Sequence, residues 1–520
     1  MYICRSSTAC PEYFIVNRTR GSASFKGRGT VERNISLLVG FVPQATEEHK
    51  IQLHNKLGAR IITKFSEINV EAVEVTRINI QNIIKDYQAN VHVAFIEENI
   101  IFSENDLLSK YSSKYFNDHF YNQWGLSRVD YEPAWRAARQ MKQKVTIAIL
   151  DTGIDPNHPI LSSQIVKPIN FTTKHRQNFR DKNGHGTHVA GIAAGVTNYK
   201  IIPNGKYVNN IAKIMPIKVI GRNGGQSKWI IAGILYAVQN GAKVINLSVG
   251  GPPFSKALQR AINFAWKKGV VIVAAAGNEG IEQVEYPAGY NFVLAVSASN
   301  EDNERAEFSN WGMNIGVAAP GASIFSTTPT YPTPYRLPIY DSLYGTSQAT
   351  PMVSGLAALL FAIYPDLRNE EVIQIIQRSA VPINKNTKQW DPVFGYGLLN
   401  VRNAINHTLG KKSNSNFREI TYRVEKGSFY GQIVDQLENP IANAIVTARM
   451  NGMIISKHKT RNNVPTENGK LNTDGMFRLP NLLPGTYSIF VELPGQAPIE
   501  MGNFTIIAGA DTILQLICKK

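Results

Sequence analysis

Three patterns predict an α/β protein: a parallel sheet flanked by helices, with an N-terminal α+β unit and a C-terminal all-β sandwich. From Val145 onward, short apolar runs alternate with helical periods, the signature of a parallel sheet covered on both faces. Between Ile35 and Phe102 the order reads β-α-β-β-α-β, a small split-βαβ unit. Beyond about Thr408 helical periodicity vanishes, and short strand-like runs are separated by Gly, Pro and Asn.

The elements follow in chain order. "ISLLVGFV" reads as strand, "EEHKIQLHNKLGA" as helix, "VEAVEVT" as a half-buried strand, "NIIKDYQAN" as helix and "VHVAFIEENIIF" as strand. In the central region "VTIAIL", "IMPIKVI", "AKVINLSV" and "VVIVAAA" are strands, and "GTHVAGIAAGV", "WIIAGILYAVQNG" and "KALQRAINFAWKKG" are helices. "GKKSNSN" has linker composition. After it come "GSFYGQIVD", "AIVTARMNG", "GMFRLPNL", "GTYSIFVELPG" and "DTILQLI" as strands. The resulting division is 1–34 disordered, 35–105 α+β unit, 106–123 linker, 124–408 α/β domain, 409–424 linker and 425–520 β-sandwich.

Composition narrows the function. The formal net charge is +16, but the cations are scattered and no aromatic-interleaved basic stripe exists. Nucleic-acid binding is not expected. No apolar run approaches the roughly 20 residues of a membrane helix, so no membrane span is expected. Cys4, Cys10 and Cys518 lie near the termini, so no disulfide framework staples the core. The N-terminal residues lack a secretory apolar core of roughly 7–15 residues. Retention inside the cell, unconventional export and a misassigned start all fit.

The chemistry gathers after strands. "VTIAIL" runs into "DTGID", so Asp151 sits at a strand's carboxyl end, where open α/β sheets collect function. "DKNGHGTHVAGIAAG" holds His185 and His188 at a spacing that puts both on roughly one helix face. That pattern leaves a metal site, a catalytic base and a structural role open. Zinc needs a third ligand, and "HGTH" lacks the glutamate of His-Glu-x-x-His. "YGTSQATPMVSGLAALLFAIY" starts a long apolar helix at Ser347, with Pro351 in its first turns. A serine hydroxyl needs a base within reach, an acid to orient that base, and donors for the developing oxyanion. Asp151, His185 and Ser347 fill the first roles; the Asn278 amide in "AAAGNEG" and the Ser347 N–H offer the donors.

The order Asp…His…Ser, with "DTGID", "NGHGTHVAG", "AAAGNEG" and "GTSQATP", resembles the subtilisin family of serine proteases, thermitase-like branch. The resemblance covers Trp124 to Asn406, and Ile35 to Phe102 is similar to the family's inhibitory propeptide. It implies a serine endopeptidase made as a self-processing proenzyme. His185 would be the base and His188 a core histidine, with Asp155 and His158 as local loop residues. Polypeptide substrates and the chain's own propeptide are the implied partners, and a monomer is expected. Ser248, Val249, Gly250 and Gly251 match the segment that pairs with extended substrate. Glu285 falls where the family has a small or neutral residue at the base of the pocket before the scissile bond, so Lys or Arg is expected there; the alternative is a solvent-facing Glu285. Register with the family puts self-cleavage near Asn105, whereas a basic preference favours Lys110 or Lys114. Family habit favours an extracellular location, with the cytoplasm as the alternative.

Departures accompany the match. Gln348 and Met352 replace the family's methionine and histidine after the nucleophile. Ile160 stands where the strong calcium site has an aspartate, and "NYKIIPNGKYVNNIAK" rewrites the loop that supplies its other oxygens. No cofactor is therefore expected, with calcium left only to a weak site. "TTPTYPTPYRLPIYDSLY" is longer and richer in proline than in close relatives. The C-terminal unit resembles carboxypeptidase-regulatory-like sandwiches through "GQIVD", "NPIANAIV" and "NTDGMFRLPNLLPGTY"; attachment to a substrate or surface, and a passive role, are both open. The competing class is a catalytically silent relative that binds peptides or a surface.

Overall fold

The first unit is built as its periodicity predicts: β1 (Ile35–Phe41), α1 (Glu47–Lys56), β2 (Arg60–Phe65), β3 (Val70–Val75), α2 (Ile80–Ala89) and β4 (Val93–Glu98). Its antiparallel sheet has the order β2-β3-β1-β4. Leu37, Val39, Phe41, Val73 and Val75 form one buried face with Leu53 and Tyr87 from the helices. The run read as one strand from Val91 to Phe102 divides, and β5 (Ile101–Glu104) leaves the sheet. The computed structural model describes residues 34–104, 124–134, 137, 144–195, 212–251, 254–334, 337–383, 389–413, 426–461, 464–465, 471–472 and 474–518. Of the predicted disordered segment 1–34 all but Asn34 lies outside these, as does the predicted linker 106–123.

The central domain adds α3 (Trp124–Arg128), β6 (Val145–Asp151), β7 (Ile169–Asn170), α4 (His185–Ala193), β8 (Ala212–Lys218), β9 (Gly225–Gln226), α5 (Ser227–Gln239), β10 (Val244–Leu247), β11 (Val249–Gly250), α6 (Lys256–Lys267), β12 (Val271–Ala275), β13 (Val293–Ser299), β14 (Ile315–Pro320), the hairpin β15 (Ile324–Thr327) and β16 (Tyr340–Leu343), α7 (Thr346–Ile363), α8 (Asn369–Ser379) and α9 (Val401–Ser413). Seven parallel strands make its sheet, in the order β14-β13-β12-β10-β6-β8-β7. Two apolar cores, one on each face, cover it, which explains why its strands read as continuous apolar runs. α7 is apolar enough by composition to cross a membrane, but it is 94% buried as the core helix of this domain. α9 runs to Ser413, into the stretch read as a linker.

The last unit is a sandwich of two sheets. One contains β17 (Gly427–Asp435), β22 (Met476–Leu482) and β25 (Asp511–Cys518); the other contains β18 (Ile445–Met450), β19 (Met453–Lys459), β23 (Gly485–Glu492) and β24 (Ile499–Ile506). The short pair β20 (Val464–Pro465) and β21 (Leu471–Asn472) lies apart. A buried polar seam fastens the sandwich to the central domain. Asp511 accepts from Arg478 at 2.6 and 3.0 Å, from Tyr396 Oη at 2.9 Å and from Gln377 Nε2 at 2.9 Å. The Arg478 guanidinium also lies over the rings of Trp390 and Tyr430 and donates to the Met313 carbonyl.

Candidate active site

Three of the candidate residues stand where the sheet's carboxyl edge faces the ends of two helices. Asp151 closes β6, Ser248 follows β10, and Asn278 follows β12. His185 opens α4 and Ser347 is the second residue of α7. All are buried.

His185 Nδ1 donates to Asp151 Oδ1 at 2.8 Å, and the Thr152 N–H donates to the same oxygen at 2.7 Å. A carboxylate so placed holds one imidazole tautomer and turns Nε2 away from the acid. The pair is latched by Asp181, which sequence reasoning did not single out. Its carboxylate accepts from Thr152 Oγ1 at 2.9 Å, from the Gly184 and Thr187 N–H groups at 2.8 and 2.9 Å, and from Thr187 Oγ1 at 2.7 Å. It thereby ties the residue after Asp151 to the first turn of α4, and its charge suits that helix N-terminus. The sequence signal was Asp-x-x-Gly just before the apolar helix. Gly186 is required beside it, because a Cβ there would stand 2.1 Å from the Gly153 carbonyl.

Ser347 is joined to the Ser248 segment in both directions. Ser347 Oγ donates to the Ser248 carbonyl at 3.1 Å, and Ser248 Oγ donates to the Ser347 carbonyl at 2.9 Å. Pro351 explains the second bond. It is the sixth residue of α7, within its first two turns. It has no N–H for the carbonyl four residues back, and that carbonyl is Ser347's; the Ser248 hydroxyl takes the vacant place. Asn246 Nδ2 in turn donates to Ser248 Oγ at 3.0 Å, and Ser354 Oγ donates to Asn246 Oδ1 at 2.8 Å.

Asn278 Oδ1 accepts from the Thr346 N–H at 2.8 Å and from Thr346 Oγ1 at 2.9 Å. With its oxygen spent on Thr346, the side chain offers its NH₂. β11 pairs antiparallel with β5, Val249 opposite Glu104 and Gly250 opposite Ser103. On its other edge β5 pairs with β9. The end of the first unit thus lies as a middle strand along the groove, with Phe102 buried against Gly251.

Family models match this chain twice: the subtilase family over residues 142–397, and the fervidolysin N-terminal prodomain over residues 36–99. A thermophilic serine proteinase of Bacillus sp. (strain AK1) is 34% identical over 381 residues, covering 71% of this chain and 87% of that protein. The chain belongs to the subtilase family. Thermitase of Thermoactinomyces vulgaris is 42% identical over 248 residues, covering 47% of this chain and 84% of that one. Among solved structures, fervidolysin from Fervidobacterium pennivorans, described as a keratinolytic enzyme related to subtilisin, matches at a TM-score of 0.64. It does so at 22% identity, covering 95% of this chain and 79% of that one, and so attests the fold. This subtilase is a serine-type endopeptidase carrying a prodomain.

The remaining candidates fall as follows. His188 Nε2 donates to the Asp341 carbonyl at 3.2 Å, on the hairpin β15–β16. Among the described residues no three His, Cys, Asp or Glu side chains converge as a metal ion requires. Asp155 accepts from the Asn157 N–H, from the Thr330 N–H and from Thr330 Oγ1. His158 Nε2 donates to the Ile339 carbonyl at 3.1 Å, and burial lowers the ring's pKa. Both therefore anchor the proline-rich 327–344 segment, which also sends Tyr331 Oη to the Asp181 carbonyl. Glu285 is buried and does not face solvent; its carboxylate lies against Gly277, next to Asn278, and accepts from Gln283 Nε2 at 3.4 Å. Ile160 is buried in the apolar core and has no side-chain oxygen, so this position does not fit a calcium ligand; most of the rewritten 198–213 loop lies outside the described residues.

Proposed function

We propose that this subtilase is a self-processing proenzyme that cleaves polypeptides through Asp151, His185 and Ser347. Ser347 Oγ attacks the peptide carbonyl while His185 Nε2 takes its proton. The tetrahedral oxyanion is held by the Asn278 NH₂ and the Ser347 N–H. His185 then gives the proton to the leaving amine, an acyl-enzyme remains, and water releases it by the same route. Asp151 holds the tautomer and stabilises the imidazolium. Every group used comes from one chain and water, so a monomer without cofactor suffices. Extracellular action follows the habit of the secreted family.

One observation carries this reading. β5 lies antiparallel on β11, and the register rises along 103–104 as it falls along 250–249. Glu104 thus stands opposite Val249, the neighbour of Ser248, whose carbonyl accepts from Ser347 Oγ. β5 therefore runs its carboxyl end toward the nucleophile, as a substrate strand laid on β11 in the same sense would. Asn105, Lys110 and Lys114 lie outside the described residues. N-terminal sequencing of the mature protein tests the step: a start at residue 106 follows the family register, a start at 111 or 115 follows a basic preference, and a start inside 35–104 would contradict it.

For specificity we propose that Glu285 selects Lys or Arg before the scissile bond, supported by its burial beside Gly277. Profiling a peptide library should show that preference, and Glu285→Gln should cut kcat/KM for basic peptides by roughly 10–100-fold. A wild-type preference for large apolar residues would contradict it.

A further inference from the structure

α6 is where three parts of the chain meet. At its N-terminus the Glu97 carboxylate from β4 accepts from Ser255 Oγ at 2.6 Å, from the Lys256 N–H at 2.9 Å and from the Ala257 N–H at 3.2 Å. One turn on, Arg260 Nη1 donates to the Phe41, Ile68 and Asn69 carbonyls of the prodomain at 3.2, 3.4 and 3.5 Å. The same guanidinium lies over the Phe95 ring and, through Nε, donates to Glu438 Oε2 of the sandwich at 3.2 Å. Lys256 repeats the pattern: its ammonium lies over Phe95 and donates to Asn439 Oδ1 of the sandwich at 2.8 Å. Each cation therefore touches the prodomain on one side and the sandwich on the other.

The sandwich side of this junction is a built turn. Asp435 accepts from the Leu437 and Asn439 N–H groups at 2.9 and 2.8 Å and from Asn439 Nδ2 at 3.0 Å. That fixes Glu438 and Asn439 in place without help from the prodomain. Burial lowers the pKa of both Arg260 and Lys256. Such cations need acids nearby; the prodomain supplies Glu97, and the sandwich supplies Glu438 and Asp435.

We infer that the Asp435–Asn439 turn of the sandwich is part of the surface on which the prodomain sits, so that the C-terminal unit helps to hold the prodomain over the groove. Glu438 is a positioning residue: it sets the Arg260 fork so that the other edge meets the carbonyls at the ends of β1 and before β3. The inference rests on the reading that the prodomain blocks the groove, and its test separates the two.

The test uses the full chain carrying Ser347→Ala, which prevents self-cleavage. Hydrogen exchange is followed in β1, β3 and the sandwich strands β17 and β25. Adding Glu438→Gln should speed exchange in β1 and β3 by roughly 2–10-fold while β17 and β25 stay unchanged. Glu438 is 38% exposed, so the isosteric change leaves the sandwich folded. Arg260→Ala should loosen the same strands, and Glu438→Gln on top of it should add nothing. Unchanged prodomain exchange in Glu438→Gln, or full additivity with Arg260→Ala, overturns the inference. The underlying reading is checked apart, on the chain with Ser347 intact: uncleaved protein that hydrolyses peptide at the mature rate would remove the prodomain's blocking role itself.

Discussion

At the scale of single residues, the site depends on who holds each functional group. Asn278 is aimed by Thr346, His185 by Asp151, and the Asp151–His185 pair by Asp181. Asn278→Ala is expected to lower kcat by about 10²–10³-fold, the range for losing one oxyanion donor in a related serine protease, with KM little changed. Single-turnover kinetics check this, and a raised KM with kcat unchanged would point to ground-state binding instead. Asp151, His185, Asn278 and Ser347 were legible as candidates because each sits in a motif tied to a strand end or helix start. Asp181 and Thr346 were not, because a buried Asp or Thr that orients its neighbour looks in sequence like any turn residue. Glu285 was legible as an oddity, but only its packing against Gly277 excluded the solvent-facing alternative.

At the scale of elements, four of the seven parallel strands were readable as apolar runs. β13 and β14 were not: "VLAVSAS" and "IGVAAP" are mostly small residues without strong β preference, and β7 is two residues long. The hairpin β15–β16 was seen only as a proline-rich segment, although it closes over His158. The Ile160 N–H donates to His158 Nδ1 at 3.3 Å while Nε2 donates to Ile339, so the native ring is neutral. Its native pKa lies below the unfolded value of about 6.5. Its contribution to stability is therefore complete above about pH 6.5 and is lost progressively as pH falls through that value towards the native pKa. His458, also lowered by burial, acts in the same direction. Melting temperature should fall on acidification from about pH 7.5 to about 5, with a shallower slope in His158→Gln. An identical slope in that variant would remove His158 from the account.

At the scale of the whole molecule, the sandwich is no trailing appendage. Its Asp474 accepts from Tyr286 Oη at 2.7 Å, in the residue after Glu285, and the Arg478–Asp511 pair is buried in the seam with Gln377 and Tyr396. None of this was legible, because seam residues are polar, lie far apart in sequence and have no periodicity. Asp511→Asn leaves a buried guanidinium without its anion, a loss of about 3–5 kcal/mol, and should detach the sandwich. Denaturant unfolding in the Ser347→Ala background measures it; a change under about 1 kcal/mol would mean that the seam is incidental. The central claim spans all three scales: distant residues converge to make one serine reactive. Labelling the mature protein with a fluorophosphonate and mapping the adduct by mass spectrometry tests it most directly. A single adduct on Ser347, strongly reduced in His185→Ala, is the expected result; an adduct on another residue, or undiminished labelling without His185, would contradict the account.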